Sequence, residues 1–129
     1  MTSARLSRRP AAHMLGAAAL MGSWAAFANR AHPMPEPLFA FLVQGALSGT
    51  ITLGLKRGIE TAVARLAAPW ARIVPPIGAA LLSITLLTLV HTLAGTPEIA
   101  ATIAVPLTAV TLYAALYAAS LVADRRTAP

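Results

Sequence analysis

Cysteine is absent from the chain, which excludes disulfides, thiolate metal sites and thiol nucleophiles without identifying a compartment. Charge is scarce as well: acidic and basic residues together make up 11% of the sequence, against roughly 25% in an ordinary soluble domain. That is too little to clothe a globular core in a hydrated surface. The four acids, Glu36, Glu60, Glu98 and Asp124, all avoid the middle of the apolar runs. A small proton-coupled exporter needs a buried acid to exchange proton for substrate, so this lack weighs against that class. Also missing are an HExxH pair, a nucleophile elbow, a glycine-rich phosphate loop and paired carboxylates. No enzyme activity and no cofactor are expected, and the spans share no internal repeat.

Long apolar stretches are plentiful. Hydrophobic residues account for 57% of the 129 residues, enough chain for one domain. A spanning helix needs about 20 apolar residues to cross about 30 Å of hydrocarbon. Four stretches meet that length: about 10–28, 37–55, 73–94 and 97–122. The expected fold is an all-α integral membrane bundle of four transmembrane helices forming a single membrane domain over 1–129. Prolines 33, 35 and 37 punctuate the first connection, and Pro75-Pro76 marks the entry to the third span. Gly95-Thr96-Pro97 joins spans three and four, with Thr96 as N-cap, Pro97 in the first turn and Glu98 at the positive end of the helix dipole. Between spans two and three, Ile59, Val63, Leu66 and Trp70 recur at helical spacing beside Glu60 and Arg65. This predicts a short amphipathic helix over about 58–70 on the cytoplasmic interface, ended by Pro69.

Orientation follows from the cations. Arg5, Arg8, Arg9, Lys56, Arg57, Arg65, Arg72, Arg125 and Arg126 fall on one side of a four-span arrangement, and Arg30 alone on the other. The positive-inside rule makes the first side cytoplasmic and places both termini there, in the inner membrane of a bacterium. With the cations set beside apolar spans, the lipid bilayer is the expected partner, not nucleic acid. The N-terminal stretch also imitates a secretory signal: Ser7-Arg8-Arg9, an alanine-rich run and Ala26-Phe27-Ala28. Residues 1–28 are read either as a cleaved leader or as a retained span, and the three further spans favour retention.

The polar residues inside the spans have an ordinary reading and a functional one. Gln44, Ser48 and Thr52 recur at i, i+4 and i+8 beside the Gly45/Gly49 pair. A helix-packing face with interhelical hydrogen bonds is the favoured reading, and a polar substrate path the alternative. Thr85, Thr88 and Thr92 share a face of span three, with His91 near its outer end. Threonines there bond the carbonyl one turn back and need no ligand. His32, Glu36, His91 and Glu98 all fall on the outer side, and imidazole with carboxylate suits zinc-like ions. Their spacing matches no ligand motif, so no metal is expected, and the four are kept only as candidates. The small-residue faces Ala18/Gly22 and Gly45/Gly49 suggest a structural or accessory membrane protein, packed as a homo-oligomer or beside other membrane subunits. A small oligomeric transporter or channel using Gln44 and the span-three threonines is the alternative.

Overall fold

A computed structural model describes residues 3–127, with side chains from residue 11 onward, so Arg5, Arg8 and Arg9 lie outside the described side chains. It is all-α: α1 spans Ser3–Ala28, α2 Glu36–Arg65, α3 Ala68–Leu93 and α4 Ile99–Thr127. All four are long and apolar enough to cross a membrane. Proline and glycine set their limits. Pro37 and Pro69 fall in the first turns of α2 and α3, where a missing amide proton costs nothing. Helix α3 ends in a Schellman turn. Gly95 takes the left-handed conformation at φ 69°, its N–H donates to the Thr92 carbonyl, and the Thr96 N–H donates to the His91 carbonyl.

Three local expectations are corrected. Residues 58–70 do not form a separate interfacial helix, because α2 continues to Arg65 and α3 begins at Ala68. Gly58 does not interrupt α2, since Ile59 and Val63 carry its buried face onward, each only 2% exposed in a cluster with Ala71, Ala114, Ala118 and Val122. That burial outweighs the roughly 1 kcal/mol a helical glycine costs. Pro69 therefore starts a helix instead of ending one. Pro75 and Pro76 lie inside α3, not at its entry. The carbonyls they release belong to Ala71 and Arg72, in the opening turns of α3. Thr96 does not cap α4, for its hydroxyl is engaged by His91.

Helices α1 and α2 pack along each other, as do α3 and α4, and the two hairpins meet through α2–α3, α2–α4 and α1–α4 contacts. Small residues let the first pair approach. A Cβ built on Gly22 would lie 2.8 Å from the Phe41 carbonyl oxygen, and one on Gly45 would lie 3.1 Å from that of Ala18. The bundle is inverted relative to a soluble one. Asn29, Gln44, His91 and Thr102 are fully buried, while Leu15, Leu82 and Leu93 are 70% or more exposed. Water would penalise that distribution, whereas hydrocarbon favours it.

Candidate functional site

The α2 face bearing Ala40, Gln44 and Ser48 is buried, and on α3 the face bearing Ser83, Leu87 and His91 is buried. Their meeting joins the chain's single glutamine to an imidazole. The Gln44 Oε1 lies 2.8 Å from His91 Nε2, and His91 Nδ1 lies 2.8 Å from the Thr96 hydroxyl. An amide oxygen carries no proton, so Nε2–H donates to Gln44 and the neutral ring accepts the Thr96 hydroxyl proton at Nδ1. The Gln44 amide then donates to Ser48 Oγ at 2.9 Å. A directed chain of hydrogen bonds thus runs from Thr96 through His91 and Gln44 to Ser48.

A second cluster lies at the same end. Asn29, just past α1, donates from Nδ2 to the Ala25 carbonyl and to the Thr102 hydroxyl, both at 2.8 Å. Its Oδ1 accepts the Glu98 N–H at 3.0 Å, and the Thr102 hydroxyl donates to the Glu98 carbonyl at 2.6 Å. The cap of α4 is therefore supplied from the turn after α1. Trp24 adds a bond from its indole N–H to the Ala101 carbonyl at 3.0 Å. Beside this cluster, His32 Nε2 donates to Glu98 Oε1 at 2.9 Å, and Glu36 Oε2 stands 3.6 Å from Nδ1.

The structure thus brings together three of the four residues considered for a metal, His32, Glu36 and Glu98. The two carboxylates sit at opposite nitrogens of one ring, so they do not converge on a common point. His91 belongs to the other cluster, with both nitrogens engaged. Among the described residues no three His, Asp or Glu side chains are arranged to hold a metal ion.

Inward of Gln44 lies a cavity of about 180 Å³ walled by all four helices, with Met21, Gln44, Ser48, Leu87, Pro106 and Tyr113 on its surface. The span-three threonines do not reach it. Thr85, Thr88 and Thr92 are exposed, and Thr85 and Thr92 donate to the Leu81 and Thr88 carbonyls one turn back. Gly45 and Gly49 face α1, Gly45 against Ala18, while a Cβ built on Gly49 would lie 4.0 Å from the Met14 carbonyl oxygen. The two small-residue faces therefore pack on each other inside the chain.

The opposite end is tied by α4. Tyr117 donates to Glu60 Oε1 at 2.6 Å, and Lys56 stands 3.9 Å from the same oxygen. Arg125 donates to the Val63 carbonyl and, at 3.4 Å, to that of Leu66, satisfying the last carbonyls of α2. Sequence reasoning singled out neither Asn29 nor Arg125. For Asn29 the available signal was a lone asparagine immediately after an apolar run, where an amide must find partners. Comparison with known proteins finds no matching family, no matching characterised protein and no matching solved structure.

Proposed function

We propose that the four helices span the inner membrane of a bacterium with both termini cytoplasmic, and that the chain is a structural or accessory membrane protein. The observation that carries this reading is that the buried polar side chains are engaged with one another. Among the described residues, none has a buried nitrogen or oxygen left without a hydrogen-bond partner. Groups kept for a substrate are usually left for that substrate to satisfy. Here Gln44, His91, Asn29 and Thr102 hold helices to helices. Exposed leucines on every side leave the outer surface for lipid, a second copy or another membrane subunit. The packing of α1 against α2 and α4 further supports keeping residues 1–28 as a span, since removing a leader ending at Ala28 would take Ala18, Gly22 and Trp24 with it.

Extraction in mild detergent at native abundance, followed by native mass spectrometry, tests the reading. Unrelated subunits at fixed stoichiometry, or a defined homo-oligomer without transport activity, are the expected outcomes. A second reading, a small transporter or channel, is favoured by the cavity walled by all four helices. It predicts solute flux in proteoliposomes that falls in Gln44→Leu. Such flux would displace the accessory reading.

A further inference from the structure

A groove of about 380 Å³ runs between α2 and α3, lined by Ile51, Gly54, Gly58, Pro75, Gly78 and Leu82, with Ala62 at its end. It lies apart from the polar clusters and from the small-residue contact between α1 and α2. Gly54, Gly58 and Gly78 are exposed, and a Cβ on any of them would meet nothing within 4 Å. From Ile51 to Ala62 the helix rises about 16 Å, roughly half of a 30 Å hydrocarbon core, the depth of one leaflet. A single hydrocarbon chain is slender enough to lie along a groove of this length and volume.

Charge distinguishes the two ends of the groove. Arg65 lies three residues past Ala62, and Arg72 three residues before Pro75, so each shares a face with a groove-lining residue. Both are exposed. Among the described residues, the side-chain bonds at this end involve Lys56, Glu60, Tyr117 and Arg125, not these two arginines. A guanidinium presents paired N–H donors that match phosphate oxygens.

We infer that the α2–α3 groove binds one anionic phospholipid of the cytoplasmic leaflet, an acyl chain lying along Gly54, Gly58 and Gly78 and the phosphate held by Arg65 and Arg72. The inference rests on the helices spanning a bilayer with this end cytoplasmic. It is independent of whether the protein is accessory or a transporter. Lipid fills a hollow that would otherwise forfeit its dispersion contacts, and the arginines select the headgroup.

The test is native mass spectrometry of delipidated full-length protein, titrated with phosphatidylglycerol and with phosphatidylcholine of identical acyl chains. One phosphatidylglycerol per chain is expected, in preference to phosphatidylcholine. Arg65→Gln with Arg72→Gln removes two exposed charges and is expected to weaken phosphatidylglycerol binding about thirtyfold, about fivefold per arginine, and phosphatidylcholine, whose choline offsets its phosphate, by much less. Gly54→Leu with Gly78→Leu fills open space and is expected to weaken both lipids, with unchanged helical circular dichroism confirming the fold. Equal affinity of the unmodified protein for the two lipids overturns the inference. So does undiminished preference in the arginine variant, or a halved assembly mass with unchanged lipid binding in the glycine variant, which would assign the groove to a second copy. Carbonate extraction separates the premises: release from the membrane refutes the spanning reading itself, while retention without lipid preference refutes only the groove.

Discussion

Alanine substitutions along the α1–α2 seam form a series whose order is set by distances already present in the structure. At Gly22 a new Cβ would lie 2.8 Å from a backbone oxygen of Phe41 and 3.1 Å from its ring, so a helix must move. At Gly45 the nearest atom is the Ala18 carbonyl oxygen at 3.1 Å, at Gly49 it is the Met14 carbonyl oxygen at 4.0 Å, and at Gly16 nothing lies within 4 Å. Overpacking of a close contact costs about 1–3 kcal/mol, which is about a fivefold to 150-fold shift in the unfolding equilibrium. Glycine-to-alanine replacement in a helix returns up to about 1 kcal/mol. Net of that return, Gly22→Ala is therefore expected to destabilise by up to about 2 kcal/mol and Gly45→Ala by less. Gly49→Ala and Gly16→Ala are expected to be neutral or stabilising. Unfolding by increasing sodium dodecyl sulfate in mixed micelles, followed by circular dichroism, gives the four values on one scale. Gly22→Ala no less stable than Gly16→Ala, or Gly49→Ala the worst of the set, would show that α1 does not sit on α2 in this register.

Three further outcomes are expected. A double-mutant cycle of Gln44→Leu and His91→Leu, read in the same unfolding assay, should give a coupling of about 0.6 kcal/mol, with a ceiling near 1.7 for intramembrane hydrogen bonds; zero coupling would mean that the two side chains do not meet. Asn29→Ala removes the cap of α4 and should cost about 1–2 kcal/mol, with faster hydrogen exchange confined to residues 98–102; protection unchanged there would refute the capping role. With no native cysteine to interfere, Pro97→Cys and Thr127→Cys should label from opposite sides of the membrane with an impermeant maleimide. Labelling of both from one side would overturn the topology.

Long apolar runs made the four helices legible, because run length and cation placement need no knowledge of neighbours. The glutamine, histidine and serine of the first cluster were legible for the same reason: polar groups within apolar stretches must meet something. What escaped was decided by tertiary contacts. The stretch from Gly58 to Trp70 looked interfacial because Gly58, Glu60 and Arg65 break its apolarity, yet Ile59 and Val63 extend a buried face that only α3 and α4 complete. The threonines of span three share a face, but periodicity cannot say whether that face turns inward, and it turns outward. The glycine pair of α2 looked available to another molecule, although its partner was the equally small face of α1 in the same chain. Asn29 and Arg125 act on helices distant in sequence, so the sequence could mark Asn29 as needing partners but could not name them.

Two of the polar bonds between the two hairpins share one sense. The α1–α2 hairpin offers two amide oxygens, Gln44 Oε1 and Asn29 Oδ1, whose own NH₂ groups already have partners at Ser48 and Ala25. The α3–α4 hairpin brings the matching donors, His91 Nε2–H and the Glu98 N–H. A chain holding only the first hairpin would carry those two acceptors unmet until the second hairpin packs against it. A slip of one helical turn, about 5.4 Å, would leave all four groups mismatched at once. The pairing therefore works as a registration mark between the two hairpins.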